Sequence, residues 1–440
     1  MARRIVRTRL SVGGNFDRFT HYLFRYPAKF HPPVVRTLLK RYTDEGDLVL
    51  DPFCGSGTLL VEASVLGRRS IGIDIDPVAV AVAKAKVHRY QIPRLRQLAE
   101  RIVRSLEKHR RPDDECEKRM FEDLTEGGYQ RDVVPVRRWV PLIPNLFHWF
   151  RKYVIVDLAR IRATIERTDA PESHKHLLRV VFASIIRNAS NADPVPVSGL
   201  EVTSYTRRRE AGGRLVDPFD MFERALARAV DSCEAFNQHA QRDAKARVVQ
   251  GDATQLSRYV AGQVDAVVTS PPYHGAVDYY RRHTLEMYWL GYTRNIEERL
   301  ALRRAYIGRP KVPSSHPFVV HSTLKTSLAK RWEERIRKIS QERANAFRHY
   351  HVGMTRFFDS LSKHVRPGAP TLVVVGHSTW NEAEIPSTDL FAEIAYDHFT
   401  LRELLWYPLK NRYMSYSRHN QADINTEYVL VLRRKGRRSR

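Results

Sequence analysis

Residues 47–86 constrain the fold of this chain more than any other segment. They begin with the apolar run LVLD, which leads into a glycine-containing turn and a helix that starts near Thr58. The run GRRSIGIDID follows as a second strand, and Pro77 then opens another helix in the first-turn position where proline is favoured. Two strands joined by a helix form a parallel βαβ unit. The segment therefore predicts an α/β fold built on a parallel sheet.

The glycine turn Gly55-x-Gly57 indicates a ligand site because of what surrounds it. No Lys-Ser or Lys-Thr pair follows, which excludes a phosphate-binding Walker loop, and Leu60 occupies the position of the third glycine in a dinucleotide motif. Asp74 ends the second strand, where an acid can bind a ribose diol, and the helix after the turn can face a carboxylate. A ligand with a ribose but no pyrophosphate fits best. The pattern favours S-adenosylmethionine as a cofactor over a purely structural turn.

A second site is predicted where the apolar run VDAVV stops at Ser270-Pro271-Pro272-Tyr273. Two successive prolines end a strand, and ligands of open α/β sheets bind beyond the carboxyl ends of the strands. The prolines offer carbonyl acceptors without competing N–H donors, Ser270 adds a hydroxyl, and Tyr273 adds a flat face for stacking. These groups suit a planar ring with an exocyclic amine. The alternative is a strand-ending loop whose tyrosine covers the core.

An exocyclic amine on an aromatic ring is a poor nucleophile because its lone pair is delocalised into the ring. Two acceptors that take hydrogen bonds from its protons favour a pyramidal nitrogen and aim the lone pair at an electrophile. The two motifs together therefore predict methyl transfer to an amine. Transfer to a ring carbon of cytosine is excluded, because that chemistry needs a cysteine nucleophile near the end of this strand and the sequence has none there.

The charge of the chain indicates a polyanion as its partner. The 440 residues carry a formal net charge of +25 at pH 7, and the sequence pI is about 10.1. Nucleic acid is the natural polyanion for such a surface. The alternative is a basic, solvated surface that has no partner.

Cysteine, histidine and hydropathy patterns exclude other classes of protein. Cys54, Cys116 and Cys233 lie far apart, which argues against a disulfide framework or a zinc ribbon and fits a reducing cytoplasm. The histidines within 174–176 and 349–351 match no ligand spacing, so no metal is expected. The basic N-terminus lacks an apolar h-region, and no long apolar run exists. We therefore expect a cytoplasmic protein with no signal peptide and no membrane span.

The remaining sequence predicts three parts. Residues 1–94 hold an aromatic-rich entry segment at 16–42, which is a packed N-terminal lid or a ligand contact, and the first half of the core. Residues 95–245 have helical spacing with basic faces and predict a helical insertion, which is a target-recognition element or a structural cap. Residues 246–440 complete the sheet with a final antiparallel pair and contain a basic insertion at about 293–347.

With both motifs in view, the sequence resembles the DNA amino-methyltransferases, which methylate N4 of cytosine or N6 of adenine. The segments that carry the resemblance are DPFCGSGT at 51–58, GIDIDP at 72–77, GDA at 251–253, TSPPY at 269–273 and RYPAKFHPP at 25–33. The resemblance implies a doubly wound, seven-stranded class I S-adenosylmethionine-dependent methyltransferase fold with a helical insertion. The serine variant of the tetrapeptide is associated mainly with cytosine in this family, which favours N4 of cytosine as the target.

The resemblance also implies roles for individual residues. Tyr273 stacks on a base flipped out of double-stranded DNA, while Ser270 Oγ and the Pro271 carbonyl accept hydrogen bonds from its amine. Asp74 binds the ribose of S-adenosylmethionine, Asp252 binds its adenine amine, and the segment at 25–33 helps to hold its methionine part. The catalytic residues are then Ser270, Pro271, Pro272 and Tyr273, and the cofactor-binding residues are Lys29, Asp51, Phe53, Gly55, Gly57, Thr58, Asp74 and Asp252.

The family pattern leaves the target and its recognition open. The long insertion precedes GDA rather than following it, so target recognition is assigned first to residues 95–245 and second to 293–347. The alternative activities are those of an N6-adenine DNA methyltransferase, of an RNA amino-methyltransferase that acts, for instance, on guanine N2 of tRNA, and of a catalytically silent nucleic-acid-binding module. A role in restriction–modification or host defence in a prokaryotic cytoplasm is what the resemblance implies.

Overall fold

A computed structural model of the chain describes residues 6–13, 16–26, 29–194, 200–274, 279–309, 311–380, 383–409 and 425–436. The strands in these ranges are β1 Val6–Arg9, β2 Leu48–Asp51, β3 Arg69–Asp74, β4 Ala246–Gln250, β5 Ala266–Thr269, β6 Pro370–Gly376, β7 Ser378–Trp380, β8 Ala383–Ile385, β9 Phe399–Pro408 and β10 Thr426–Arg434. β7 and β8 form a short hairpin. The other eight strands form one mixed sheet in the order β1-β9-β10-β6-β5-β2-β3-β4.

Helices flank this sheet and fill the chain between its strands. The α-helices are α1 Pro32–Tyr42, α2 Thr58–Val65, α3 Pro77–Val87, α4 Ile92–Glu107, α5 Asp113–Phe121, α6 Glu126–Val133, α7 Leu146–Trp149, α8 Lys152–Arg167, α9 Glu172–Ala189, α10 Ser204–Ala211, α11 Pro218–His239, α12 Tyr279–Arg282, α13 Thr284–Leu290, α14 Ile296–Ala305, α15 Pro317–Val320, α16 Ser327–Arg337, α17 Gln341–Leu361 and α18 Ser387–Ala395. Short 3₁₀ helices cover Phe19–Tyr22, Val134–Trp139 and Ala253–Arg258. In the part of the chain that the structure describes, no helix is long and apolar enough to cross a membrane.

The middle of the sheet is parallel and buried on both faces. β2 pairs in parallel with β3 and β5, and β5 pairs in parallel with β6. One face packs against α1 and α2 through side chains such as Leu38 and Leu59, and the other packs against α17 and α18 through Phe357 and Phe391. This double cover explains why these strands are continuous apolar runs. Their carboxyl ends meet at one edge of the sheet, which is where ligands bind in open α/β folds.

The sheet contains eight strands, whereas seven were expected. β10 is antiparallel to β6 and β9, as predicted for the final pair, but β1 adds a further strand parallel to β9. The expected number was therefore wrong by this strand. Its sequence, VRTR, has no apolar run to mark it, and the side chains of Arg7, Thr8 and Arg9 are exposed. Main-chain pairing with residues 403–406 holds it in place instead.

The long segment between α3 and β4 is helical and packs directly onto the rest of the fold. α9 lies against α3, and His176 Nε2 lies 2.8 Å from the Ala81 carbonyl oxygen. One continuous apolar core joins Val82 of α3 to Phe182 of α9 and Trp289 of α13. The apolar side chains of α8 and α9 fill this core. Their lysine and arginine side chains are half-buried or exposed. The segment is therefore fused to the sheet layer through α3 and α13.

Candidate active site

A cleft with an open volume of about 850 Å³ lies at the carboxyl ends of β2, β3 and β5. It brings the glycine turn and the Ser-Pro-Pro-Tyr segment to one wall. The predicted site residues that line it are Lys29, Asp51, Phe53, Gly55, Thr58, Asp74, Asp252, Ser270 and Pro272. Gly57, Pro271 and Tyr273 do not line it. A ligand at the glycine turn and a second ligand at Ser270 would therefore share one continuous space.

The glycine turn has a backbone conformation that requires its glycines. Gly55 and Gly57 have positive φ angles of 48° and 79°, a region that other residues rarely adopt. A Cβ atom on Gly57 would lie 2.9 Å from the Cβ atom of Ala83, so this glycine lets α2 pack closely against α3. A Cβ atom on Gly55 would lie 3.3 Å from the ring of Tyr26, which lines the cleft. Gly57 thus serves helix packing, and Gly55 keeps the turn narrow at the cleft.

Asp74 holds the glycine turn at the end of β3. Its Oδ2 accepts a hydrogen bond of 2.8 Å from the Gly55 N–H, and its Oδ1 accepts one of 2.9 Å from the Asp76 N–H. Burial raises the pKa of Asp74 to about 7, and the nearby charge of Asp76 adds to the rise. Asp76 in turn caps α3 and lies 2.6 Å from His283 Nδ1. The carboxyl group of Asp74 therefore sits in the cleft wall and changes its charge near neutral pH.

Asp51 connects the two motifs. Its Oδ1 accepts a hydrogen bond of 2.7 Å from Thr269 Oγ1, at the end of the strand that carries the Ser-Pro-Pro-Tyr segment, and one of 3.2 Å from the Phe53 N–H. Burial raises the pKa of Asp51 to about 7, although these two hydrogen bonds oppose the rise. Both partners of the Thr269 bond are almost completely buried. The ends of β2 and β5 are therefore fixed to each other at the cleft.

Replacing Thr269 with valine is expected to lower the free energy of unfolding by about 1–3 kcal/mol, because the buried Asp51 oxygen loses its hydroxyl donor. The measurement is urea denaturation of the variant and the unmodified chain. Thr37→Val is a matched control, because Thr37 Oγ1 bonds only the Pro33 carbonyl within its own helix. Equal losses in both variants would contradict a special role for the Thr269 hydroxyl.

Lys29 and Asp252 approach the cleft from distant parts of the chain. Lys29 Nζ donates to the His21 carbonyl at 3.2 Å and lies 4.0 Å from the centre of the Tyr22 ring. Burial lowers the pKa of Lys29 to about 8. Asp252 follows β4, and its Oδ1 accepts a hydrogen bond of 2.8 Å from the Thr254 N–H. The cleft wall thus combines one cation with several carboxylates.

Distant parts of the chain hold the Ser-Pro-Pro-Tyr loop. Tyr350 of α17 donates a hydrogen bond of 2.8 Å to the Pro272 carbonyl, and Ser378 of β7 donates one of 3.0 Å to the His274 carbonyl. Gly308 packs against the Pro272 ring. Because the Pro272 carbonyl already accepts a hydrogen bond, it is a weaker candidate for binding an amine than the Pro271 carbonyl or Ser270 Oγ.

Tyr273 is attached to the two final strands of the sheet. Its hydroxyl donates a hydrogen bond of 2.6 Å to Glu427 Oε1 of β10, and the Tyr407 hydroxyl of β9 donates to Oε2 of the same carboxylate. Burial raises the pKa of Tyr273 well above its ordinary value, the Glu427 charge adds to this, and a hydrogen bond from Ser270 opposes it. Burial also raises the pKa of Glu427. The tyrosine ring is thus fixed in orientation through its hydroxyl.

Residues 7–85 match a protein-family model described as DNA methylase. This range contains β2, α2, β3, most of α3 and the whole glycine turn. This part of the chain is therefore similar to the DNA methylases of that family. The Ser-Pro-Pro-Tyr segment lies outside the matched range, and the choice between N4 of cytosine and N6 of adenine does not follow from it.

The relatives that are similar to this chain include Type II methyltransferases. M.MjaII of Methanocaldococcus jannaschii is 41% identical over 81 residues, which is 18% of this chain and 15% of that protein. M.BsoBI of Geobacillus stearothermophilus is 23% identical over 296 residues, which is 64% of this chain and 55% of that protein. A tRNA (guanine(10)-N2)-dimethyltransferase of Methanothermobacter thermautotrophicus is 37% identical over 70 residues, or 16% of this chain and 21% of that protein. The chain therefore spans about half or less of these relatives.

Solved structures are only distantly similar to this chain. TrmN from Thermus thermophilus covers 93% of the chain at 11% identity, with 50% of its own chain covered and a TM-score of 0.31. The rRNA methyltransferase aviRa from Streptomyces viridochromogenes covers 94% at 13% identity, with 88% of its own chain covered and a TM-score of 0.29. The order of the strands in the mixed sheet defines the fold.

Several residues of the cleft wall were not predicted. Tyr26 and Phe30 line the cleft, and the aromatic-rich entry segment could have indicated them. Pro27 and Ala28 of the same segment lie outside the described residues. Ile75 follows Asp74 and also lines the cleft. Residues 305–307 line it too, although they belong to the basic insertion and carry no motif. That insertion therefore reaches the cleft as well as the protein surface.

Proposed function

We propose that this chain is an S-adenosylmethionine-dependent DNA methyltransferase that modifies the exocyclic N4 of cytosine within a restriction–modification or host-defence system. The observation that carries the proposal is the single cleft that contains both Asp74 of the glycine turn and Ser270 of the Ser-Pro-Pro-Tyr segment. A cofactor and an amine substrate must be adjacent for direct transfer, and this arrangement supplies that adjacency.

The residues of the cleft fit S-adenosylmethionine. Asp74 and Asp252 supply carboxylate acceptors for ribose hydroxyls and an adenine amine, and Lys29 supplies a cation for a carboxylate. Thr58 Oγ1 is a buried oxygen in the cleft wall for which the described residues provide no hydrogen-bond partner. The narrow Gly55 turn lets a ligand approach the backbone. When bound, the cofactor supplies a methyl group on a sulfonium centre.

The protein's own groups prepare the amine. Ser270 Oγ and the Pro271 carbonyl are proposed to accept hydrogen bonds from the N4 protons of a cytosine that has left the DNA stack. Tyr273 is proposed to stack on that base, and Glu427 fixes its ring. Holding the two reactants in line supplies most of the acceleration, so no strong general base is needed.

Target recognition is proposed for residues 95–245, with 293–347 as the second choice. The first segment supplies the long helical layer against α3, and the second supplies residues 305–307 of the cleft wall. Residues 1–94 and 246–440 form the two halves of the core in this proposal. The net charge of +25 supports binding of DNA that weakens steeply as salt increases.

We expect the affinity for S-adenosylmethionine to be highest between pH 7 and pH 8. Asp74 has a raised pKa of about 7, so below this range it is protonated and accepts weaker hydrogen bonds. Lys29 has a lowered pKa of about 8, so above this range it loses its charge. Calorimetric titration across pH measures the profile. In Lys29→Arg the cation persists at high pH, so the alkaline decrease should become smaller. An identical profile in this variant would assign the alkaline decrease to the amino group of the cofactor itself.

The direct test of function is transfer of labelled methyl from S-adenosylmethionine to unmethylated genomic DNA, with nucleoside analysis of the product. N4-methylcytosine is the expected product. N6-methyladenine would keep the chemistry and overturn the choice of cytosine. Label that enters only added RNA would favour an RNA amino-methyltransferase. No transfer to either polymer would favour a silent nucleic-acid-binding module.

A further inference from the structure

Lys86 is a buried lysine that the proposed transfer does not use. It lies in the last turn of α3 with no exposed surface, and its Nζ donates a hydrogen bond of 3.0 Å to Ser56 Oγ. Burial lowers its pKa well below the ordinary value, the charge of Lys29 lowers it further, and Cys54 opposes this weakly. Among the described residues, no carboxylate forms an ion pair with Lys86. A buried ammonium group without a counter-charge is costly.

The carboxylate of Glu62, a buried residue of α2, is already matched by other partners. His21 Nε2 lies 2.8 Å from Glu62 Oε1, and burial lowers the pKa of His21 to about 4, so the imidazole is neutral at pH 7. Glu62 Oε2 accepts a hydrogen bond of 2.7 Å from Arg36 Nε, and this guanidinium balances its charge. Lys29 is itself a cation and supplies no negative charge. Glu62 is therefore not available as a counter-charge for a protonated Lys86.

Ser56 connects Lys86 to the cleft. It is the middle residue of the Gly-x-Gly turn, and it lines the cleft together with Lys29. Because Lys86 Nζ donates to Ser56 Oγ, the hydroxyl proton of Ser56 is available for another acceptor. A ligand carboxylate at this point would accept from Ser56 and lie near both lysines. It would also supply the counter-charge that a protonated Lys86 needs.

We propose that Lys86 is a positioning residue for the carboxylate of the cofactor, which acts through Ser56 and takes up a proton when that carboxylate binds. This inference rests on the proposed use of S-adenosylmethionine. The proton comes from solvent, and the bound state then contains an ammonium–carboxylate pair in place of a neutral amine. Lys29 contacts the same carboxylate from the cleft side in this arrangement.

Calorimetry in two buffers of different ionisation enthalpy, phosphate and Tris near pH 8, measures the proton uptake. The comparison uses Lys29→Arg and the double variant Lys29→Arg/Lys86→Met, because the arginine stays charged and removes the titration of position 29. The single variant is expected to take up a fraction of a proton more than the double variant when S-adenosylmethionine binds. Equal uptake in the two variants would overturn the proposal.

A second comparison uses 5′-methylthioadenosine, which has the adenine and ribose of the cofactor but no carboxylate. Lys86→Met should weaken S-adenosylmethionine binding about tenfold, the equivalent of one pKa unit, and leave 5′-methylthioadenosine binding unchanged. The Tm of the ligand-free variant should be unchanged or higher, because methionine replaces a buried polar amine with an apolar side chain of similar length. An equal loss of affinity for both ligands, or a lower Tm, would show that Lys86 only stabilises the glycine turn. If the unmodified protein binds neither ligand, the proposed cofactor itself is wrong.

Discussion

Ser270→Ala is expected to lower kcat for methyl transfer by roughly 10²–10³-fold, the size of effect seen when one preorganised hydrogen-bonding group at a reacting centre is removed. The affinity for S-adenosylmethionine should change little, because Ser270 belongs to the segment that is proposed to bind the amine substrate and not to the glycine turn. Single-turnover transfer of labelled methyl to DNA measures the first quantity, and calorimetry measures the second.

Ser232→Ala is the matched control for this variant. Its hydroxyl is exposed and bonds only the Arg228 carbonyl of its own helix, so both quantities should stay at the level of the unmodified chain. Comparable losses of kcat and of cofactor affinity in Ser270→Ala would contradict the assigned role. They would instead indicate that the substitution disturbs the whole loop.

Asp74→Ala is expected to weaken S-adenosylmethionine binding by roughly 10²-fold, because a carboxylate that accepts hydrogen bonds from hydroxyl groups contributes about 1.5–3 kcal/mol. Calorimetry at pH 8, where Asp74 is ionised, is the measurement. Asp74→Asn should lose less, since an amide oxygen can still accept the Gly55 N–H that Asp74 accepts in the structure. Asp243→Ala, at an exposed position, is the control. Unchanged affinity in Asp74→Ala would remove this residue from the cofactor site.

The part of the core that contains the glycine turn could be predicted because its sequence signals are local. The run LVLD forms β2, the helix begins at Thr58 and Pro77 opens α3, all as expected. Each of these features depends on a few neighbouring residues: an apolar run, a glycine with positive φ, or a proline at a helix start. The meeting of the two motifs in one cleft followed from the rule that parallel strands end at the same edge.

Features that depend on distant contacts could not be predicted. β1 is a polar strand held by main-chain pairing to a segment almost at the other end of the chain. Tyr350 and Glu427 reach the Ser-Pro-Pro-Tyr loop across 78 and 154 residues of sequence. Lys86 lies in an alanine- and valine-rich helix where its spacing gives no sign of burial. In each case three-dimensional packing, rather than local pattern, decides the role of the side chain.

The bond between Tyr273 and Glu427 has a consequence for the order in which the protein becomes functional during synthesis. Glu427 belongs to the last strand of the described chain, so a ribosome releases it long after the glycine turn and the Ser-Pro-Pro-Tyr segment. A nascent chain can therefore form the wall that carries Asp74 before it can fix the tyrosine. Under the proposed function, affinity for the cofactor would precede the ability to transfer a methyl group. Transfer would then begin only when the final strand has joined the sheet.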